Sequence, residues 1–293
     1  MTRAFDSHPR ARSLLFVPGH QEARFGKACQ SGADMIVLDL EDAVPPDRKD
    51  EARAALGRWL RARAIGEQGN APPIAVRING ADTPWHAADL ALCEDAKVDA
   101  LMLPKAEDAQ VLQAVAALLP QCALLPLIET ARGIDRVDAI AAAPQVQRVV
   151  FGSIDFQADL DIEGDDEELL FFRSRLVLAS RVAGLAAPVD GVSTAIDDEA
   201  RIEAEARRAR RLGFGGKLCI HPRQVAIVNA GFSPTQAQID WAERVLAADA
   251  ASGGAPVAVD GRMVDRPVVL KARAVVDRST PRLRALRVAS PTP

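Results

Sequence analysis

Eight times along this chain, a short apolar run bounded by glycine, proline or charge is followed by a segment whose apolar residues recur every three to four positions. The runs fall at 14–18, 35–40, 74–78, 100–104, 123–128, 146–151, 188–192 and 217–220. Runs of this length, apolar throughout rather than alternating, suit strands buried on both faces in a parallel sheet covered by helices. The following segments, 22–31, 48–65, 85–95, 108–119, 134–142, 166–184, 197–212 and 223–230, carry the period of amphipathic helices. Eight strand–helix units are the count that closes a parallel barrel, so the predicted fold class is α/β, a (β/α)8 TIM barrel. An open doubly wound sheet would place a GxGxxG turn before the first helix, and none stands there.

The barrel units are complete by residue 230, which divides the chain into a catalytic barrel domain, 1–230, and a C-terminal extension, 231–293. In the extension, 234–251 has helical periodicity, 252–256 (SGGAP) reads as a hinge, and 266–278 suggests a last helix. Between them VAVDGRMV has Asp260-Gly261 at its centre, the signature of a hairpin, which makes the extension a helix–hairpin–helix. The terminal SPTP is expected to fray. A hairpin with an apolar side needs cover from its own barrel or a neighbouring subunit, and a neighbouring subunit is the expected one.

With a net charge of −4 and a pI near 5.7, the chain has no general basic surface for nucleic acid or an anionic membrane. Net charge still leaves room for a local basic pocket that takes a phosphorylated ligand. No stretch is apolar for long enough to span a bilayer, and the LLFV at 14–17 is too short for a secretory signal. Cys29, Cys93, Cys122 and Cys219 show no CxxC or metal-type spacing and fall within predicted elements. They are expected to be buried, reduced thiols of a cytoplasmic protein.

Reactive residues of a barrel stand at the C-terminal ends of its strands. Those ends are polar here: Asp39, Glu41 and Asp42 after the second strand, Arg77 and Asn79 after the third, Lys105 after the fourth, Glu129 and Arg132 after the fifth. Gly152-Ser153-Ile154-Asp155 follows the sixth and His221 the eighth. So many carboxylates at one mouth would raise one another's pKa values if left unpaired. A hard divalent cation relieves that conflict, and oxygen-only ligation points to Mg2+ or Mn2+. Duller roles stand beside these: Asp42 and Asp155 as helix caps, Glu129 paired with Arg132, Arg77 in a salt bridge at the rim of the core, His221 as a hydrogen-bonded structural residue.

In chain order stand RSLLFVPG (12–19), GADMIVLDLEDAV (32–44), VRIN (76–79), LPK (103–105), PLIET (126–130), FGSID (151–155), GFGGKLCIHPRQV (213–225) and DGRMVDRP (260–267). Together they resemble the citrate lyase β-subunit-like family, within the HpcH/HpaI aldolase and citrate lyase superfamily, over about residues 12–278. The resemblance implies a Mg2+-dependent carbon–carbon lyase acting on a 3-hydroxy-acyl-CoA thioester such as malyl-, citramalyl- or citryl-CoA. The products would be acetyl-CoA and an oxo acid. The resemblance also implies Glu129 and Asp155 as metal ligands, Arg77 as the catalytic and substrate-binding arginine, and Glu41 and Asp42 as supporting catalytic acids. Asp265 matches an aspartate that reaches the active site of the adjacent subunit, and a homo-trimer or hexamer is the expected assembly. Arg24 and Lys27 match the region that binds the CoA nucleotide. Gly152, Ser153 and Ile154 match a substrate-binding segment whose side chains carry little.

Elementary chemistry agrees with that implication. Cleavage of such a thioester passes through an enolate, for which Mg2+ is a Lewis acid and an arginine a counter-charge. Asp265, dried by subunit packing, would acquire a pKa suited to moving a proton. The alternatives are a metal-dependent pyruvate-type aldolase without CoA, a malyl-CoA-type thioesterase, and a citrate lyase β chain acting on an acyl-carrier-protein thioester. The first of these uses a histidine near the second strand, where LDLEDAV offers none.

Overall fold

The computed structural model describes residues 11–66 and 71–279. Eight parallel strands close a barrel in chain order, with the last pairing the first. They are β1 Ser13–Pro18, β2 Met35–Asp39, β3 Ile74–Arg77, β4 Ala100–Leu103, β5 Ala123–Ile128, β6 Val150–Phe151, β7 Val189–Asp190 and β8 Gly216–Cys219. The predicted TIM barrel is therefore the observed fold.

Two strands, β6 and β7, are far shorter than their apolar runs. Before β6, Val146 makes only an isolated bridge to Leu124. Arg148, fully buried, donates to the carbonyls of Ala187, Pro188 and Ala11, so a side chain takes acceptors that a longer ladder would use. Pro188 also has no N–H to extend β7. The helix expected at 134–142 divides into Ala131–Asp135 and Val137–Ala141, and that at 22–31 into a 3-10 turn Glu22–Arg24 and a helix Phe25–Cys29.

Strand side chains alternate between two faces, and the barrel interior takes every second one. Met35 and Val37 of β2, Ala75 of β3, Leu125 and Leu127 of β5 and Val150 of β6 belong to that interior. Two residues further along each strand line stand Asp39, Arg77, Glu129 and Gly152. The periodicity that packs the core thus carries charge to the barrel mouth on the same inward rows.

Outward-facing strand residues meet the helix layer, mostly through apolar contacts. An exception lies between β7, β8 and the helices Leu170–Val182 and Glu199–Leu212. There Arg173 donates to Asp190 at 2.9 Å and to Asp165 at 2.7 Å, while Lys217 Nζ lies 3.5 Å from both Asp190 and Glu205. Arg173, Asp190, Glu205 and Lys217 are all buried.

The chain divides at Asn229–Ala230 into two compact units. In the second, the helices Gln236–Ala251 and Arg266–Arg278 and a hairpin, β9 Val257–Val259 with β10 Arg262–Val264, share a core that includes Ile239, Val245, Val264 and Val269. The first of these helices opens with a capping box between Thr235 and Gln238. Asp260 and Gly261 both have positive φ, 50° and 73°, as the tight hairpin turn requires. The segment expected to fray, at the end of 280–293, lies outside the described residues. Among the described residues no helix is long and apolar enough to cross a membrane. Of the four cysteines, Cys93, Cys122 and Cys219 are buried and Cys29 is half-buried.

The buried ion network makes a stability prediction. Asp190→Ala leaves the charges of Arg173 and Lys217 without their shared partner, at a cost of about 3–5 kcal/mol. Denaturant unfolding followed by circular dichroism measures it, and a loss below about 1 kcal/mol would show that the network is not holding the helix layer.

Candidate active site

Arg77 is the centre of the mouth. Its register partner across β2–β3 is Asp39, and the two side chains make a bidentate pair, Nε to Oδ1 at 2.8 Å and Nη2 to Oδ2 at 2.7 Å. The remaining nitrogen, Nη1, lies 2.9 Å from Glu41 Oε2 and 3.5 Å from Asp42 Oδ2. The guanidinium also sits over the ring of Phe16, 4.7 Å from its centroid. Burial works against the arginine's charge, but Asp39, Glu41 and Asp42 outweigh it and hold Arg77 protonated.

Asp39 does a second job. Its carboxylate accepts the backbone N–H of Glu41 at 2.9 Å and of Ala43 at 3.2 Å, which turns the chain after β2. Glu41 is thereby brought back over Arg77. Burial pushes the Glu41 carboxyl up to about 8; Arg77 opposes this, and Asp42, Glu129 and Asp39 add to it. A carboxyl of that kind holds and exchanges a proton near neutral pH.

Glu129 ends the inward row of β5. Its Oε1 accepts the amide of Lys105 at 2.7 Å, while Oε2 is buried without a hydrogen-bond partner. Burial pushes this carboxyl up to about 7, with the Lys105 amide lowering it and Asp155 raising it. The neighbouring position after β6 must be glycine: a Cβ on Gly152 would lie 2.6 Å from both Cβ and Oε2 of Glu129. Asp155 follows in the first turn of the helix Ser153–Leu160, exposed to solvent.

An orphaned buried oxygen with a second carboxylate nearby suits a hard cation. Among the described residues no three His, Cys, Asp or Glu side chains converge on a common point. A cation held by Glu129 and Asp155 would keep the rest of its shell for water and ligand oxygens, the open coordination that Mg2+ favours.

The duller roles divide. Arg132 pairs with Glu107 at 3.2 Å and leaves Glu129 alone. Asp155 does not cap its helix, since Gly152 occupies the N-cap with no side-chain bond, and Asp42 precedes a helix that begins only at Lys49. His221 is structural: its Nδ1 accepts the amide of Arg223 at the start of the helix Pro222–Phe232. Arg77 does form the expected salt bridge, and Asp265 caps Arg266–Arg278 by accepting from Val268 at 3.3 Å. Arg24, Lys27 and Ile154 are exposed, and Ser153 is buried with its hydroxyl unpartnered. Asp39, given no role from the sequence, is the residue that fixes both Arg77 and Glu41. Its signal was the inward row Met35, Val37, Asp39.

Sequence and structure comparisons converge. A model of the family described as HpcH/HpaI aldolase/citrate lyase matches residues 12–222. A (3S)-malyl-CoA thioesterase of Cereibacter sphaeroides is 40% identical over 281 residues, covering 94% of this chain and 96% of that protein. An L-malyl-CoA/beta-methylmalyl-CoA lyase of Rhodobacter capsulatus is 35% identical over 301 residues, covering 90% and 93%. The crystal structure of protein CitE from Mycobacterium tuberculosis in complex with magnesium, acetoacetate and coenzyme A is similar with a TM-score of 0.79. It is 33% identical, and the match covers 92% of this chain and 99% of that one.

The two raised carboxyls predict a pH dependence in protein stripped of divalent ions. Their ordinary value is 4.5, and in the folded state it rises to about 8 for Glu41 and about 7 for Glu129. The folded chain therefore binds more protons than the unfolded one between those values. The contribution to stability is complete below about pH 4.5 and is lost as pH rises through about 7 and then about 8. Urea midpoints are expected to fall across that window, and Glu41→Gln is expected to flatten its upper part. A midpoint that climbs with pH there would contradict the assignment.

Proposed function

We propose that this chain, which belongs to the HpcH/HpaI aldolase/citrate lyase family, is a Mg2+-dependent carbon–carbon lyase acting on a 3-hydroxy-acyl-CoA thioester. Malyl-, citramalyl- and citryl-CoA are the candidate substrates, giving acetyl-CoA and an oxo acid. The observation that carries the reading is the buried, unpartnered Oε2 of Glu129, with Asp155 and Arg77 acting on the same carboxyl. Glu129 and Asp155 would hold the ion, with Mn2+ as a substitute. When bound, Mg2+ supplies Lewis-acid polarisation of the substrate's hydroxyl or oxo oxygen. The magnesium, acetoacetate and coenzyme A bound to the similar CitE protein support both the ion and the thioester.

The chain's own groups supply the rest. Arg77, fixed in plane by Asp39, offers positive charge to the oxygen of the acetyl enolate as the carbon–carbon bond breaks. Glu41 holds a proton at the edge of that arginine, with Asp42 beside it. Gly152, Ser153 and Ile154 start a helix whose first amides suit a carboxylate of the oxo acid. Arg24 and Lys27, exposed after β1, would meet the phosphates of coenzyme A. The burial of Cys93, Cys122 and Cys219 accords with reduced thiols in a cytoplasmic setting.

A second reading has a specific basis, the 40% identity to a malyl-CoA thioesterase. There the same site would direct water at the thioester carbonyl and release malate and free coenzyme A. Incubating the protein and Mg2+ with each of the three thioesters separates the readings. Glyoxylate or pyruvate or oxaloacetate together with acetyl-CoA is the expected product set, and Glu129→Gln or Asp155→Asn should abolish it with the fold intact. Free thiol with malate and no oxo acid would replace the lyase by the thioesterase. Full turnover in EDTA would sink the metal site, and turnover of an acyl-carrier-protein thioester alone would make the chain a citrate lyase β chain.

Asp265 is assigned to a neighbouring subunit's site, where it would deliver a proton to the acetyl carbon in a homo-trimer or hexamer. Its capping bond uses one carboxylate oxygen and leaves the other for that task. Mixing inactive Asp265→Ala and Glu129→Gln proteins tests this. Subunit exchange should pair intact barrels with intact hairpins and restore part of the activity. A mixture that stays dead after mass measurement confirms exchange would return Asp265 to its capping role alone.

A further inference from the structure

Lys49 breaks a local rule. It is the first residue of the helix Lys49–Gly66, where a cation opposes the helix dipole, and it is buried, where an ammonium is costly. Burial accordingly lowers its pKa, against the pull of Asp39, Glu41, Asp89 and Asp42. A residue kept against both effects needs a compensating contact.

That contact is to neutral oxygens. Lys49 Nζ donates to the backbone carbonyls of Leu40 at 2.8 Å and Glu41 at 2.7 Å, and to the side-chain oxygen of Asn79 at 2.7 Å. All three of its donors are used. A lysine whose task was to offset the acidic mouth would meet a carboxylate directly; one that meets main-chain carbonyls fixes the backbone. The turn so fixed is the one whose amides Asp39 accepts. Its N–H groups are held by a carboxylate and its C=O groups by an ammonium, and the same carboxylate grips Arg77.

Asn79 extends the clamp. Its Nδ2 donates to Leu40 O at 3.0 Å and to buried Asp89 at 2.6 Å, and Arg53 donates to the other oxygen of Asp89 at 2.8 Å. Lys49 and Arg53 stand four residues apart on one helix, and Asp89 lies on the helix His86–Ala96. Two helices of the outer layer therefore converge on the turn that carries Glu41.

We propose that Lys49 is a positioning residue: with Asn79 it holds the Leu40–Glu41 turn so that the Glu41 carboxyl stays against Arg77. Its effect on turnover rests on the lyase or thioesterase reading above; its effect on the turn does not.

Lys49→Met removes the donors and keeps most of the volume, and Lys49→Gln keeps two neutral donors on a shorter chain if the first variant does not fold. Hydrogen exchange by mass spectrometry on the metal-free protein is expected to speed up in peptides spanning Asp39–Arg48 and to stay unchanged in β5 and in Glu199–Leu212. Turnover is expected to fall by about 10–100-fold, the scale seen when groups supporting a catalytic shell are removed, with Lys49→Gln in between. Unchanged exchange at Asp39–Arg48 in the folded variant overturns the proposal. So does faster exchange with normal kcat, which would make the clamp structural only. If wild-type protein turns over none of the thioesters, the functional reading fails while the exchange result still decides the clamp.

Discussion

The site depends on one ion pair. Arg77 and Asp39 face each other across adjacent strands, and their bidentate contact fixes the guanidinium plane inside the barrel mouth. A buried pair of this sort is a weak source of stability, because desolvation consumes most of the attraction. Its value here is orientation. Asp39 takes two of the arginine's donors and two amides of the following turn, so one carboxylate sets the direction of Arg77 and the path of the chain to Glu41. Removing that carboxylate would release both at once.

Around that pair, the mouth is built to keep carboxyls close without letting all of them ionise. Glu41 and Glu129 are both buried and both pushed toward neutral pH, while Asp155 is left exposed. The difference comes from where the strands end. Glu129 continues an inward row and is walled by Gly152; Asp155 lies a turn further on, on the first helical turn above β6. Position alone thereby gives the buried Glu129 a raised proton affinity, the usual route by which a fold adapts a carboxyl to a chemical task.

Much of this was legible in the sequence, and the reason is periodicity. Runs too short for helices and too apolar for half-exposed strands left a covered parallel sheet as the natural solution, and their number closed it. Glu129, Arg77 and Glu41 could be placed because strand ends are fixed to within a residue or two by the glycine, proline or charge that stops them. The hairpin turn at Asp260-Gly261 was legible because only a few residues tolerate its backbone. What stayed hidden was tertiary. Arg148 shortened β6 and β7 through carbonyls 39 and 137 residues away, and no local pattern announces such contacts. Lys49 is held by three acceptors from the loops after two different strands, which no local pattern announces either. The pairing of Arg132 with Glu107 instead of Glu129 was likewise decided by the approach of the loop after β4.

The orphaned oxygen of Glu129 has one more consequence. Burial raises that carboxyl to about 7, so near neutrality it is partly protonated, and a divalent ion bound at the proposed site would displace that proton. If the proposed ion binds there, its uptake would be an exchange, metal in and hydrogen ion out. Occupancy would track acidity as well as ion concentration, and loading would tighten as the surroundings turn alkaline.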